Sequence, residues 1–204
     1  MFYEPRKKNH GLPHDPFKAI VGPRPVGWIT SSSAKGEINL APYSFFNAVS
    51  TDPPIVMFSS YGRKDTVTFI EETKEFVCNL ATWSLREQMN MTSATYPRGT
   101  NEMTAAGLDP APSLLVKPPR VRDSPCALEC KWLRTVQLHD LEGHATQNYL
   151  VFGQVVGVHI DDSILKDGRV DVMAFRPVAR LGYSEYTTTE NVWKLRRPDD
   201  PRFQ

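Results

Sequence analysis

The sequence predicts a mainly β protein whose strands form a closed or partly open antiparallel barrel. Short apolar runs are separated by frequent turn signals, and 17 prolines stand among the 204 residues. Helical patterns do not alternate regularly with these runs, which disfavours a doubly wound parallel sheet. The sequence contains neither a G-x-G-x-x-G fingerprint nor a Walker A motif. These observations favour a barrel of six or seven strands with irregular connections.

The predicted strands follow the apolar runs in chain order. Lys35 and Gly36 predict a hairpin turn after the first run, whereas the aromatic stretch 42–50 predicts irregular structure. Gly153 and Gly157 interrupt the longest β-branched run, where they predict bulges of the kind that bend strands into barrels. The runs predicted as strands are 26–32, 37–41, 54–60, 75–80, 127–138, 147–160 and 177–183.

Two segments carry a helical pattern. Residues 65–74 combine apolar positions with charges, and Asp65 is the predicted N-cap because its carboxylate accepts hydrogen bonds from the first free amides. Residues 83–107 predict a helical insertion that is interrupted near Tyr96 and Pro97. Its apolar side chains fit a stripe that faces the core. They are Trp83, Leu85, Met89 and Met103.

Length, charge and cysteine usage bound the class of protein. We place one domain at 19–184, between an N-terminal arm at 1–18 and a C-terminal tail at 185–204. The net charge of +1 would recruit neither nucleic acid nor an anionic membrane. No apolar segment approaches the roughly 20 residues that span a bilayer, so a soluble, cytoplasmic protein is expected. The three cysteines are too few and too far apart for a disulfide scaffold, so we expect buried thiols.

One segment has the composition of an anion site. Residues 59–66 end a strand in hydroxyls, turn at Gly62, present two cations and begin a helix. A phosphate dianion would receive free amides, the positive end of the helix dipole and the charge of Arg63 or Lys64. A solvated polar turn with an ordinary cap explains the same pattern equally well.

Two further segments could contribute to such a site. The run 28–33 places hydroxyls at a strand end, where they could donate to a phosphate or solvate a sheet edge. In 39–50, Asn47 and Ser50 lie where exposed backbone could bond the polar edge of an isoalloxazine ring. The aromatic residues of that stretch could instead be core or dimer contacts. They are Tyr43, Phe45 and Phe46.

The loop before the longest run contains metal-ligand types: His139, Asp140, Glu142 and His144. Their spacing matches no metal pattern, so a polar loop between strands is favoured and no metal is predicted. His159 lies on an apolar strand, where a hydrogen-bonded structural role is favoured. The sequence has no G-x-S-x-G elbow and no convincing cysteine nucleophile.

Six blocks occur in a specific order and spacing. They are RPVGWITS at 24–31, NLAPYSFFNAVS at 39–50, DPPIVMFS at 52–59, KDT at 64–66, FVCNL at 76–80 and PVARLG at 177–182. The ordered set resembles the flavin reductase-like family of FMN-binding split-barrel proteins, over about residues 18 to 183. This resemblance implies a Greek-key split β-barrel with a short helix and a helical insertion.

The resemblance also implies a homodimer with one FMN per subunit near the interface. It places three hydroxyl residues beside the flavin: Thr30, Ser31 and Ser32. It assigns contacts with the ring to Asn47, Ala48, Val49 and Ser50. Around the phosphate it places Ser59, Ser60, Arg63, Lys64 and Thr66. Asp65 is implied to order this loop as a helix cap rather than to touch the phosphate, because like charges repel.

The activity implied by the resemblance is that of an FMN-dependent oxidoreductase. Hydride would pass from NADH or NADPH to FMN and electrons onward, with no side chain required as acid or base. Many family members carry a Gly-Asp-His segment before the penultimate strand, and His144 is the candidate for that place here. The sequence leaves the hydride donor, the electron acceptor and the exchange of FMN open. The alternatives are an FMN-binding electron carrier or storage protein and a cofactor-free interaction module.

Overall fold

A computed structural model describes residues 1–195, and β-strands form most of its regular structure. The strands are β1 (Arg24–Pro25), β2 (Gly27–Ser32), β3 (Ile38–Tyr43), β4 (Phe46–Thr51), β5 (Pro54–Tyr61), β6 (Glu75–Leu80), β7 (Pro110–Ala111), β8 (Arg120–Val121), β9 (Cys126–His139), β10 (Ala145–Ile160), β11 (Leu165–Lys166), β12 (Arg169–Val170), β13 (Val178–Arg180) and β14 (Tyr186–Thr188). The helices are α1 (Phe17–Ile20), α2 (Asp65–Thr73), α3 (Arg86–Met91), α4 (Glu102–Ala105) and α5 (Val172–Phe175), with single 3-10 turns at Pro5–Lys7 and Asp162–Ile164. In the described part of the chain, none of these helices is long and apolar enough to cross a membrane.

Seven of the strands form one antiparallel sheet in the order β3-β2-β6-β9-β10-β5-β4. Its two edge strands are consecutive in the chain and are joined by Ser44 and Phe45. The sheet therefore curls until its first and last strands meet at one corner, the β3–β4 corner. There the ring of Tyr43 packs against Phe58 with centroids 4.6 Å apart. This arrangement confirms the predicted mainly β barrel.

The stretch 42–50 is more regular than the sequence predicted. Its first residues complete β3, and its last residues form most of β4, which pairs with β5. Pro42 is tolerated because β3 is an edge strand, where a residue without an amide proton can face away from the ladder. The prediction of irregular structure was wrong because a proline and aromatic residues concealed the end of β3 and most of β4.

The long hairpin of β9 and β10 carries the predicted bulges. Its register shifts between Phe152 and Gly153 and again between Val155 and Gly157. A Cβ atom at position 153 would lie 2.2 Å from Cζ of Phe76, which is fully buried in the barrel. The glycine is required here because only a bare backbone lets that ring pack so closely.

Two apolar clusters lie on opposite faces of β2. Inside the barrel, Ile29 belongs to the cluster that also contains Val67 and Ile70 of α2, so this helix closes the barrel over β2. On the other face, Trp28 shares a cluster with residues of the helical insertion, among them Met89. Burial of these side chains excludes water from both faces of the strand.

The insertion contributes to this second cluster largely as predicted. Leu85, Met89 and Met103 are buried, but Trp83 is 44% exposed and its predicted place in the core was wrong. Trp83 precedes α3 and so does not lie on the apolar stripe of that helix. Its ring is instead covered by the guanidinium of Arg86, 4.1 Å from the ring centre.

The segments on either side of the barrel are tied to it by arginines. In the N-terminal arm, Arg6 pairs with Glu142 at the tip of the β9–β10 hairpin. The buried guanidinium of Arg24 donates to the carbonyls of Lys18 and Leu181. The predicted tail begins with β14, which pairs with β13; its residues 196–204 lie outside the described residues.

The three cysteines are free thiols, as the sequence predicted. Cys78 and Cys130 are buried in the barrel cluster, and Cys126 is half-buried. Burial raises the pKa of the Cys78 and Cys126 thiols above their ordinary values. They therefore pack as small protonated hydrophobic groups.

A buried carboxylate holds the connection between β7 and β8. Glu129 on β9 is fully buried and accepts hydrogen bonds from the amides of Leu114, Leu115 and Val116 at 2.7, 2.6 and 3.1 Å. His159 Nε2 lies 2.5 Å from the same carboxylate. Burial alone would raise the pKa of Glu129, but these hydrogen bonds outweigh burial and lower it. His159 thus has the structural role that the sequence favoured.

Candidate functional site

The predicted anion site lies where β5 leads through Gly62 into α2. Gly62 takes the left-handed turn with φ +83°, which suits glycine. The first intrahelical hydrogen bond runs from the amide of Thr68 to the carbonyl of Lys64. The amides of residues 65–67 therefore lie ahead of the helical ladder. Within residues 1–195 no side chain caps this end, so free amides and the positive end of the dipole are left open.

Asp65 is not the N-cap, contrary to the prediction. Lys64 takes that position with extended backbone at φ −73° and ψ 175°, and Asp65 is the first helical residue. The Asp65 carboxylate lies 3.5 Å from Nε of Arg98, which belongs to the helical insertion. A lysine side chain has no acceptor for backbone amides. The position that a cap would normally occupy is therefore available to an external anion.

Side chains beneath the helix start are tied to one another. Asn39 Nδ2 donates to Thr66 Oγ1 at 2.7 Å, and Ser60 Oγ donates to the carbonyl of Gly62 at 2.9 Å. Burial raises the pKa of Tyr43, while its hydrogen bonds with Thr66 and Ser60 oppose that shift. Two of the predicted residues, Ser60 and Thr66, thus both lie close to the Tyr43 side chain.

The three predicted hydroxyls of β2 are all buried, but they differ in their partners. Thr30 Oγ1 accepts from Asn79 Nδ2 at 2.8 Å. Ser31 stands opposite Asn39 in the β2–β3 ladder, so both side chains lie on the face of the sheet that α2 covers. Among residues 1–195 the Ser31 hydroxyl has no hydrogen-bond partner, although it is fully buried. An unpaired buried hydroxyl is costly and marks a position where a ligand could supply the partner. Ser32, the third of these residues, is also buried.

A cavity of about 400 Å³ opens beside the helix start, and we call it the helix-start cavity. Lys64 and Arg98 are the cations among its lining residues, and Asp65 and Glu102 are the acids. Burial raises the pKa of Glu102, the hydrogen bond from the amide of Leu40 opposes this, and the charge of Asp65 reinforces it. The cavity is also lined by hydroxyl groups: Thr66, Thr92, Ser93, Thr95, Tyr43 and Tyr96.

Arg63 has different partners from Lys64. Its guanidinium forms an ion pair with Glu71 and lies 5.5 Å from the ring centre of Tyr149. Of the described residues that line the helix-start cavity, Lys64 is one and Arg63 is not. The two adjacent cations therefore point to different sides of the same turn.

A second cleft, of about 570 Å³, adjoins the β3–β4 corner, and we call it the corner cleft. Its polar lining consists of Arg24, Ser44, Asn47, Ser59 and Asn148. Its wider walls are apolar. They include Val21, Pro23, Pro25, Phe45, Phe46, Met57, Leu138 and Leu150. Apolar walls with a few polar groups are typical of sites for small organic molecules.

The residues predicted beside a flavin ring follow one another along β4. Asn47 lines the corner cleft, and a bulge falls between Ala48 and Ser50. Val49 is the extra residue of that bulge and is 49% exposed. A bulge on an edge strand leaves backbone amides and carbonyls without ladder partners. The exposed backbone that the sequence predicted is therefore supplied by a bulged strand.

His144 lies at the tip of the long hairpin. Asp140 accepts from the amides of Glu142 and His144, and its Oδ2 lies 3.3 Å from His144 Nδ1. These hydrogen bonds lower the pKa of Asp140. The three side chains are exposed with ligand atoms within 4.8 Å of one another, and Arg6 pairs with Glu142. The loop is polar and joins β9 to β10, and His144 lines neither the helix-start cavity nor the corner cleft.

Sequence reasoning missed Arg98 and Glu102. Both belong to the insertion, where only the apolar stripe carried a signal. Asn101 caps α4 by accepting from the amides of Met103 and Thr104, which sets Glu102 at the helix start. The asparagine indicated a helix boundary, but no local pattern indicated that this boundary would lie against β3.

The fold and the candidate site together define a class: an antiparallel barrel with an uncapped helix start beside one cavity and a second, mostly apolar cleft at its β3–β4 corner. The family model of the flavin reductase like domain matches residues 22–180. The chain therefore belongs to the flavin reductase-like family, which confirms the resemblance carried by the six sequence blocks.

Solved structures agree with this assignment. Nitrilotriacetate monooxygenase component B from Bacillus cereus is 29% identical with a TM-score of 0.87, covering 96% of this chain and 98% of that one. The 2-nitrobenzoate 2-nitroreductase NbaA from Pseudomonas fluorescens is 31% identical with a TM-score of 0.79, covering 90% and 89%. A proposed flavin reductase with a split barrel domain from Shewanella frigidimarina shares the fold, at 24% identity and a TM-score of 0.79 over 96% and 94%. The chain is a split barrel, and its family and neighbours support a flavin-related oxidoreductase.

Proposed function

We propose that this protein binds FMN and acts as an oxidoreductase that takes hydride from NADH or NADPH. One observation carries the proposal: the start of α2 has no side-chain cap, so its free amides lie beside a cavity that Lys64 lines. Each of these groups is a donor to an anion, and none of them serves the fold at this position. The family assignment supports a flavin as the molecule that carries the anion.

The phosphate end of FMN fits the helix start. A phosphate monoester is a dianion with several acceptor oxygens, which the amides of residues 65–67 and the dipole of α2 would stabilise. Lys64 would supply the opposing charge from the wall of the helix-start cavity. Ser60 and Thr66 already hold hydrogen bonds within the chain, so they orient the turn beneath the anion.

The ring of FMN fits the corner cleft. Its volume of about 570 Å³ is within the usual range for organic ligands, and its walls are mostly apolar. Asn47 and the bulged backbone after it would bond the polar edge of the ring, and Ser59 lines the same cleft. When bound, FMN supplies the redox chemistry. The chain holds the ring in place and keeps water from one of its faces.

The proposed reaction rests on the neighbours as well as on the site. A monooxygenase component and a nitroreductase, each close to 30% identical to this chain, are both oxidoreductases by their names. We assign no acid–base role to His144, because its side chain is 79% exposed and already contacts Asp140. Proton transfer by a side chain is not required for hydride transfer to a flavin.

We also propose that the protein is a homodimer with the flavin near the interface. On the sheet formed by β5, β10 and β9, Met57 stands beside Phe152, and Leu150 stands beside Val136. These side chains lie on the opposite face from the buried Phe58. Met57 and Leu150 also line the corner cleft, so a second copy covering this apolar face would adjoin the ring.

The proposal is tested by titrating the purified protein with FMN and following flavin fluorescence. Saturable uptake of one FMN per chain supports it, and consumption of NADH or NADPH in the presence of FMN supports the reductase activity. Stable binding of FMN without such consumption would favour the electron carrier. A protein that takes up no FMN would be the cofactor-free module, and the proposal would be rejected.

A further inference from the structure

We propose that Arg98, rather than Arg63, is the guanidinium that binds the phosphate end of the flavin. This inference rests on the proposed function, because it assigns a new residue to the same site. Arg63 stands in the turn that the sequence singled out, whereas Arg98 comes from the insertion, more than 30 positions further along the chain. The structure places Arg98, and not Arg63, beside the open helix start.

Arg98 lies beside the open helix start. Arg98 lines the helix-start cavity together with Lys64, and its Nε lies 3.5 Å from the Asp65 carboxylate. Asp65 is the first helical residue, so the guanidinium is held within one turn of the free amides. A guanidinium has five donors in a fork. A contact through Nε does not use the two terminal nitrogens of Arg98, which could donate to a phosphate.

The helix-start cavity is lined by two acids as well as by two cations. The carboxylates of Asp65 and Glu102 both line the helix-start cavity and would repel a phosphate dianion. Lys64 alone cannot offset two acids and the incoming anion. Arg98 compensates Asp65 directly through the ion pair and adds donors for the phosphate. The cavity therefore needs a second cation, and Arg98 supplies it.

Arg63 is committed elsewhere. Its guanidinium pairs with Glu71 and stacks near the ring of Tyr149, on the other side of the turn. To reach a phosphate at the helix start it would have to give up both partners. Arg98, by comparison, has a side chain that is 69% exposed and one acidic neighbour at 3.5 Å.

The loop that carries Arg98 is fixed at both ends. On one side, Thr92 Oγ1 accepts from Trp28 Nε1 at 2.9 Å. On the other, Glu102 Oε2 accepts from the amide of Leu40 at 3.0 Å. Both anchors are buried strand residues of the barrel. Arg98 therefore belongs to a connection that is braced on β2 and β3 on both sides of it.

The test compares FMN with riboflavin, which lacks the phosphate. For Arg98→Gln we expect FMN to bind about tenfold more weakly, with riboflavin binding unchanged, because a charge-assisted hydrogen bond is lost. Arg86→Gln is the matched control, since it removes a guanidinium of the same insertion that stacks on Trp83. It should bind both flavins like the wild type. Arg63→Gln tests the alternative that Arg63 binds the phosphate. We expect this variant also to keep the preference for FMN over riboflavin.

The double variant Asp65→Asn with Arg98→Gln separates two roles. Direct contact with the phosphate predicts that FMN binding stays weak in the double variant, because the donors are still missing. Full recovery of FMN binding would overturn the proposal and leave Arg98 only as a screen for Asp65. A loss in Arg63→Gln but not in Arg98→Gln, or an equal loss of FMN and riboflavin in Arg98→Gln, would overturn it too. A wild-type protein that binds no FMN rejects the proposed function itself, which is a distinct result.

Discussion

Two places in this barrel gather backbone amides around a position where a negative charge fits. At the first, the amides of residues 114–116 point to the buried carboxylate of Glu129. At the second, the amides of residues 65–67 begin α2, and no side chain of the described residues caps them. The chain fills the first place with its own anion and leaves the second place open.

The difference separates a structural site from a candidate binding site. The donors around Glu129, including His159, all bond to its carboxylate. The loop and the barrel therefore hold each other in place. On β2, the Ser31 hydroxyl is buried without a partner among residues 1–195, and at the helix start Lys64 lines a cavity. An unsatisfied group lowers stability. Such a local conflict is expected where function rather than folding sets the residues.

The largest effect is a loss of stability, and it is expected when the carboxylate of Glu129 is removed. Glu129→Ala should lower the free energy of unfolding by about 3–5 kcal/mol, because three amides and His159 lose a buried charged partner. The quantity is measured by urea denaturation at constant pH. Glu72, an exposed acid on α2, provides the control, since Glu72→Ala should change stability by less than about 0.5 kcal/mol.

Glu129→Gln sharpens the same test. The amide oxygen still accepts from part of the loop, so its loss of stability should be smaller than that of Glu129→Ala. If Glu129→Ala cost less than about 1 kcal/mol, the loop amides would have found other partners. The contrast between a filled and an open site would then be lost.

Breaking the open site should instead change ligand affinity. Lys64→Ala should weaken FMN binding by roughly 10- to 100-fold, since hydrogen bonds to charged groups contribute about 1.5–3 kcal/mol. Riboflavin binding and the free energy of unfolding should stay near the wild-type values, because Lys64 makes no capping bond within the described chain. Lys35→Ala in the exposed hairpin turn is the control for loss of one positive charge. Unchanged FMN affinity in a titration of Lys64→Ala would refute the role of this lysine.

A smaller effect is expected for Ser31→Ala. In the protein without ligand, this change should not lower stability, in contrast to Glu129→Ala. Removing a buried hydroxyl that has no partner in residues 1–195 should leave stability unchanged or raise it by up to about 1 kcal/mol. FMN binding should nevertheless weaken by a few-fold, about the effect of one neutral hydrogen bond. Thermal unfolding with and without FMN measures both quantities. Thr30→Ala is the comparison, because Thr30 is bonded to Asn79 and should lose stability instead.

Local sequence patterns predicted the elements whose contacts are local. The turn at Gly62, the start of α2 within one residue, and the bulge at Gly153 follow from backbone rules that act over a few positions. The strand β4 was missed because an edge strand buries too little to show a strong alternation. Its existence depends on pairing with β5, which a local pattern does not contain.

The sequence indicated the turn before α2 as a candidate site but not which charged side chains line the cavity beside it. Arg63 and Lys64 are neighbours in sequence, and no pattern tells which of them faces the helix start. Arg98 and Glu102 reach the same cavity only because the insertion folds back on β3. Such tertiary contacts have no local signal, since they depend on how separate clusters pack.

The smallest predicted effect concerns the dependence on pH and acts through Glu102. Burial raises the pKa of this carboxyl in the folded chain, so the folded state binds more protons than the unfolded state between the ordinary and the raised value. Stability contributed by Glu102 is therefore present at low pH and falls as the pH rises through that window. Glu102→Gln keeps an acceptor for the amide of Leu40 and should remove this decline. Urea midpoints of both proteins from acid to neutral pH measure it, and parallel curves would show that Glu102 does not titrate within the fold.

Because the variant also removes one acid from the helix-start cavity, FMN binding at neutral pH should strengthen slightly, which links the open site to the charge that opposes its ligand.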